Sequence, residues 1–418
     1  MATRIDAAPP LGEMAAGSRS CQNPLVRAAD VVIVGGGVTG TSTAFHLAGL
    51  GATNICLLER RHLAAGATGK SGALVRMHYT NEPEARLAWE SLKVFRDFRA
   101  IVGGDCGFES VGFLALVAPG HEAALARNVE RLRGLGVDTH VVSREDVRAI
   151  FPEAVADDVG AAAYEPGSGY ADPIATAHAF AEGARRHGAR IETACQATRI
   201  VTAGDHVVAV ETDRGRIDTP AVVLAPGAWG RVLLDPLHLD WSLVPHRVQV
   251  TIFRWPAGFH RRHVVVIDFT QMVWLRPEGP NATLIGVELG VAHANPEKFS
   301  ESVDEEYVGL CREKLTARVP AFRDAAMRGG WAGMITMSPD GRPIIDQVPS
   351  IGGLYVMLGD SGTSFKTAPA IGRGLAEWIV HGRPRSVDLT PFRSTRFAEG
   401  RPWVDPDGYG AERSTVSR

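Results

Sequence analysis

The chain has 418 residues, more than one ordinary domain, and its 45% apolar and 22% charged content is that of a globular protein with a sizeable core. A net charge of −3 gives no electrostatic footprint for nucleic acid or an anionic membrane surface, and no apolar run is long enough to span a bilayer. Five cysteines, Cys21, Cys56, Cys106, Cys195 and Cys311, are scattered without metal-like spacing, so reduced thiols in a cytoplasmic protein, with no metal site, are expected.

Residues 1–25 contain Pro9-Pro10 and scattered charge but no apolar signal core, and read as a flexible leader. The strand Val31 to Val34 then runs into Gly35, Gly37 and Gly40, a G-x-G-x-x-G. A helical pattern follows with Ala44, Phe45 and Ala48 on one face and Gly51 as its stop. A second strand, Ile55 to Leu58, ends on Glu59. Gly35 would make the tight turn, Gly37 would let backbone approach a pyrophosphate, and Gly40 would let helix pack on strand. The helix start would hold the phosphate charge and Glu59 the ribose hydroxyls. The alternative is a glycine-rich turn in an unrelated α/β unit. An acid at Glu59 favours an unphosphorylated ribose, hence FAD or NAD rather than NADP.

Further along come an apolar run (Val111 to Val117), a helical segment (His121 to Leu135), strand-like Val137 to Val142 and a helix from Pro173 to His187. Arg190-Ile191 and Val207 to Thr212 precede a second strand-to-glycine turn at Ala221 to Trp229. Val248 to Phe253, Val264 to Ile267, Met272 to Leu275 and Thr283 to Val287 have the β-branched character of sheet strands. A charged helix, Val303 to Val319, follows. Gly353 to Gly359 then gives a third strand-to-glycine turn, leading to a helix that ends at His381 before Gly382 and Pro384. The expected fold is α/β. A Rossmann-like nucleotide domain is assembled from residues 26–105, 166–232 and 331–390. A substrate domain with a mainly antiparallel sheet takes 106–165 and 233–330. Residues 391–418, rich in arginine, proline and glycine, read as a tail ordered in part at most.

Five stretches carry a family resemblance: the fingerprint, Ala65 to Gly72, Leu224 to Trp229, Ser338 to Ile345 and Gly359 to Gly372. In that order and spacing the chain resembles the FAD-dependent amine oxidoreductases of the D-amino-acid-oxidase superfamily, and within it the monomeric sarcosine oxidase and sarcosine oxidase β-subunit group. The resemblance, not the residue pattern, turns "FAD or NAD" into FAD. It implies a cofactor site made of Gly35, Gly37, Val38, Thr39, Gly40, Glu59, Arg60, Thr68, Lys70, Ser71, Ala197, Gly227, Trp229, Gly359, Asp360, Gly362, Thr363 and Lys366. The Ala67 to Ser71 turn would lie beside the flavin ring. The Gly359 to Thr363 turn would aim backbone N–H groups at its N1–C2=O edge. Gly333 and Lys70 stand where related enzymes carry a cysteine or histidine bonded to flavin, so FAD is expected without a covalent link.

Arg76 corresponds to the family's carboxylate-gripping arginine and Lys366 to a lysine at the flavin edge facing the same carboxylate. A surface salt bridge and a solvated first-turn lysine are the bland alternatives. His78 and Tyr79 read as core residues, and His246 and Arg247 as structural. Trp274 would wall an apolar pocket for amine substituents, or be plain core. Glu288 falls where monomeric sarcosine oxidase has a lysine that helps flavin react with oxygen, which puts fast oxidase chemistry in doubt; alternatively it pairs with Arg276 or solvent.

The resulting expectation is oxidation of the C–N bond of a small amino acid, with a secondary or N-methylated amine, by hydride transfer to FAD, giving an imine that hydrolyses. Oxygen or another acceptor takes the electrons, and a heteromeric partner subunit is possible. The rival readings are an NAD(P)H-dependent flavin monooxygenase, which shares the first fingerprint, and a flavin-binding subunit of a larger amine dehydrogenase complex.

Overall fold

The computed structural model describes residues 27–405 and 407–409; the leader expected over 1–25, and residues 410–418 of the tail, lie outside them. A six-stranded sheet runs in the order Ile344–Gln347, Leu354–Leu358, Val222–Leu224, Val31–Val34, Ile55–Leu58, Arg190–Glu192. All its pairings are parallel except the first. Val31–Val34 and Ile55–Leu58 are buried at every position, which is why they read as unbroken apolar runs rather than alternating ones. Alternate residues feed two cores. Ile33 and Leu57 meet the helices Val38–Gly49, Pro173–Arg186 and Ala368–His381. Val32, Val34 and Leu58 meet a three-stranded meander, Ala197–Ala203, His206–Thr212 and Gly215–Asp218.

Local chemistry sets the helix ends. Asp172 accepts from the N–H groups of Ile174 and Ala175, each at 2.9 Å, with Pro173 opening the helix. Gly382, at φ +75°, closes the helix Ala368–His381. Helix Val38–Gly49 packs so closely on Ala368–His381 that a Cβ at Gly372 would strike Ser42.

A second, nine-stranded sheet is antiparallel except where Val265–Asp268 pairs with Phe113–Val117. Its longest pairing joins Val244–Arg254 to Met327–Met337. The latter strand runs through the boundary expected at 331 and stays with this sheet over its whole length, because its backbone hydrogen bonds have their partners there. The division into two domains remains a proposal. Among the elements the sequence did not announce are that strand and a helix Glu82–Arg96 capped by Asn81, which accepts from Glu84 N–H at 3.0 Å.

Phe392, Ser394, Arg396 and Tyr409 are buried. Arg396 holds both carboxylate oxygens of Asp340 at 2.8 and 2.9 Å, and Ser394 donates to Asp346 at 2.7 Å. Paired charge holds this segment together with the buried rings of Phe392 and Tyr409. Among the described residues no helix is long and apolar enough to cross a membrane.

Candidate active site

Between the two sheets lies an open cleft with about 2060 Å³ of empty space. At one end strand Val31–Val34 turns at Gly35, whose φ of +114° and contact with the Ala225 carbonyl admit no side chain. A Cβ at Gly40 would strike the Gly35 carbonyl, so this glycine seats the helix on the strand. Gly37 caps the helix and borders open space, apart from the Thr68 hydroxyl 3.1 Å from where a Cβ would stand. That hydroxyl accepts from Val38 N–H at 3.0 Å. Glu59, at the end of the second strand, is oriented from both sides: Gly36 N–H and Arg61 N–H each donate to its carboxylate at 2.8 Å. Val38, Thr39, Ala197 and Gly227 line the same end. A bare helix start beside a strand-end acid fits the pyrophosphate and ribose of an adenine dinucleotide.

Arg60 lies 5.3 Å from the Trp229 ring and makes a bidentate pair with Glu297 at 2.5 and 2.8 Å. Lys70 pairs with Glu301 at 2.7 Å. Segment 297–301 is thereby tied across the cleft mouth, a contact of sequence-distant residues with no local signal. Lys70 also offers its carbonyl to Trp331 Nε1 at 2.9 Å, and a Cβ at Gly333 would come 2.8 Å from its Cβ. The two positions at which related enzymes carry covalent anchors therefore touch each other. Ser71 lines the cleft and accepts from Ala73 N–H at 2.9 Å.

Across the cleft, the turn at 359–363 holds Gly359, Ser361 and Gly362 at φ of +58°, +50° and +76°. Ser361 N–H donates to the Thr336 carbonyl at 2.9 Å and Thr363 N–H to the Asp360 carbonyl at 3.1 Å. These two groups thus serve the turn itself, a departure from the expectation that the turn aims its N–H groups outward. Burial pushes the Asp360 carboxyl up to about 6, against hydrogen bonds from Gly362 and Thr336 and the charge of Lys366.

The two expected cations share this end of the cleft. Arg76 is 2% exposed and Lys366 6%, and both line the cleft wall. Arg76 Nη1 donates to the His78 carbonyl, and its guanidinium lies over the Tyr79 ring. Lys366 Nζ donates to the Thr363 carbonyl at 2.8 Å, and Tyr79 OH donates to the same oxygen at 3.1 Å. Burial holds both basic groups below their ordinary ranges, Lys366 well below, with Arg76 adding to the effect on the lysine. Neither is a surface residue. Tyr79 is as buried as expected, but its ring also lies against both cations, a role the sequence did not signal.

Trp274 lines the cleft half-buried, between two glycines. A Cβ at Gly286 would stand 2.5 Å from the indole, and one at Gly72 would overlap it. Glu288 lines the cleft beside Val287. Arg276 is not its partner: Arg276 pairs with Glu278 at 2.7 Å and donates to the Gly72 carbonyl at 2.6 Å. Glu278 lies two residues away on the same strand, and wins. Arg247 is structural as expected, forked onto Asp304 at 2.6 and 3.0 Å.

Dimethylglycine dehydrogenase, mitochondrial, of Rattus norvegicus is 27% identical over 396 residues, covering 89% of this chain but 46% of that protein. The chain thus spans about half the length of this curated relative. Sarcosine oxidase subunit beta of an Arthrobacter species is 28% identical over 389 residues, covering 91% of this chain and 94% of the relative. The crystal structure of L-proline dehydrogenase from P. horikoshii superposes with a TM-score of 0.84 at 24% identity, over 91% of this chain and all of that one, which shows the fold. The family profile described as DAO, FAD dependent oxidoreductase, matches residues 30–378, and the chain belongs to that family.

Proposed function

We propose that this FAD-dependent oxidoreductase oxidises the C–N bond of a small amino acid with a secondary or N-methylated amine. The observation that carries the reading is the pair Arg76 and Lys366, buried together in the wall of the cleft that fits the cofactor. A substrate carboxylate entering at that wall would meet a guanidinium fork and an ammonium together, a pairing suited to a planar anion. FAD, when bound, supplies a two-electron acceptor for hydride from the substrate carbon. The chain's own part is orientation: Arg76 and Lys366 fix the carboxylate, Trp274 walls the amine substituents, and the two sheets exclude bulk water. No histidine lines the cleft among the described residues, in keeping with oxidation of a neutral amine that needs no strong base. The imine product is hydrolysed by water.

The acid at Glu288 supports a dehydrogenase over a fast oxidase, and the relative named as a subunit supports a heteromeric assembly. Cys56, Cys106, Cys195 and Cys311 are free and buried, which supports the reducing cytoplasm as its compartment. An anaerobic screen of N-methyl and cyclic amino acids tests the reading by bleaching of the flavin's visible band. Reduction by NADPH instead would point to a monooxygenase, and a flavin that no amine reduces would point to a non-catalytic subunit.

A further inference from the structure

Asp405, Asp407 and Tyr409 grip the layer behind Arg76. Tyr409 is 5% exposed; its ring stacks on the His78 imidazole, centroids 5.9 Å apart and planes 18° apart, and meets Phe269 edge-on at 4.9 Å. Asn128 Nδ2 donates to the Tyr409 hydroxyl at 2.7 Å. The hydroxyl's own proton is then left for His78 Nε2, 2.8 Å away. Asp407 holds Arg127 at 2.7 Å and Arg131 at 2.8 Å. Asp405 accepts from the Thr80 hydroxyl at 2.7 Å and pairs with buried Arg342, which also meets Glu84 at 2.8 Å. Residues 76–81 are thus held from outside at His78 and at Thr80, and they carry Arg76 on the cleft side.

The link to the site is one carbonyl. Arg76 donates from Nη1 to the main-chain oxygen of His78, the residue whose ring Tyr409 stacks on and bonds. We propose that Tyr409 is a positioning residue for Arg76: by fixing the His78 ring and peptide it sets the direction of the guanidinium fork toward the substrate carboxylate. The inference rests on the reading that Arg76 binds that carboxylate. A planar fork gains from two parallel bonds only when its plane is held, so a supporting shell tells on ligand affinity before it tells on the reaction itself.

The test uses the FAD-loaded enzyme. Tyr409→Phe keeps the ring and its stacking and removes the bond to His78. The readouts are the affinity for acetate, taken from its perturbation of the flavin spectrum, KM and kcat for the best amino acid of the screen, and Tm. Acetate affinity should weaken roughly three- to tenfold and KM should rise in step, the size of one lost hydrogen bond. The rate kcat at saturation, FAD content and Tm should stay near wild type. Unchanged acetate affinity at full FAD occupancy overturns the proposal. So does a loss of Tm and kcat together without a selective rise in KM, which marks a merely structural role. Arg76→Ala is the reference: if it too leaves acetate affinity unchanged, the carboxylate reading falls and the proposal with it. If it weakens acetate while Tyr409→Phe does not, only the proposal falls. Should Tyr409→Phe fail to fold, Asp407→Asn, which frees the same segment from Arg127 and Arg131, is read in its place against the same outcomes.

Discussion

Arg76 and Lys366 lie against one aromatic ring, the guanidinium carbon 4.6 Å and the ammonium nitrogen 4.9 Å from the centroid of Tyr79. The ring's π system partly answers both charges. Removing either cation should cost roughly ten- to a hundredfold in amino-acid affinity, since charge-assisted bonds are worth about 1.5–3 kcal/mol each. Arg76→Lys should be nearly as damaging as Arg76→Ala, because lysine lacks the fork. Titration of each variant with amino acids and with their methyl esters checks this. Esters should bind poorly to the wild type and lose little more.

The cofactor loop allows a cleaner pair of substitutions. Gly37 borders open space, so Gly37→Val should leave the fold intact and abolish FAD binding. Gly40→Ala should destabilise the protein itself, because its Cβ meets the Gly35 carbonyl. Flavin content and Tm, measured together, separate the two effects. In the wild type, acid precipitation should release all FAD into the supernatant. Lys70 and Gly333 offer no anchor, and the single cysteine among the described lining residues, Cys195, lies beside Ala197 at the Glu59 end.

Trp274 keeps its place only because positions 72 and 286 lack side chains. Gly286→Ala should drive the indole into the cleft. KM for amino acids with larger N-substituents should then rise more than KM for the smallest substrate. A uniform change across the series would mean that Trp274 does not border the amine substituents.

Glu288 places an acid in the cleft wall where developing negative charge on oxygen would need a cation. Reoxidation of the reduced enzyme by oxygen should therefore be slow, and Glu288→Lys should speed it. Stopped-flow mixing of reduced enzyme with oxygenated buffer measures both.

Three histidines, His78 and His263 buried and His46 partly so, set an acid limit on stability. Burial pushes His46 and His263 down to about 4 and His78 to about 3, from an ordinary value of 6.5. Below pH 6.5 the unfolded chain binds these protons and the folded chain does not. Stability is therefore full above 6.5 and falls as pH drops toward 4, by about 1.4 kcal/mol per pH unit for each histidine. Asp360 works the other way. Its folded value of about 6 lies above the ordinary 3.8, so the folded chain takes up that proton first and offsets one of the three. Denaturant midpoints should fall as pH drops from 7 toward 4.5, with net proton uptake on unfolding. His46→Leu should flatten the slope.

What the sequence made legible is where one local rule governs several neighbours at once. The run Val31 to Gly40, with Glu59 closing the next strand, is such a place: apolar run, obligate glycines and strand-end acid belong to one βαβ unit. Strand Met327–Met337 was hidden because Gly329, Gly330 and Gly333 interrupt its β character; partners on Val244–Arg254 supply what propensity withholds. The packing of residues 391–405 had no local signal for a different reason: nothing near Arg396 in the chain announces Asp340. At the site, Arg76 and Lys366 emerged through the family resemblance alone, while the ring between them and the two glycines flanking Trp274 are facts of three-dimensional packing.

The strand order of the parallel sheet has a consequence for synthesis. Val31–Val34, among the earliest elements, pairs with Val222–Leu224, which in turn pairs with Leu354–Leu358. The fingerprint loop is therefore made well before the turn and lysine across the cleft. Such long-range closure folds slowly. A nascent chain halted before residue 354 would hold the phosphate loop without the opposite wall, and FAD would meet its full site only once strand Leu354–Leu358 has joined the sheet.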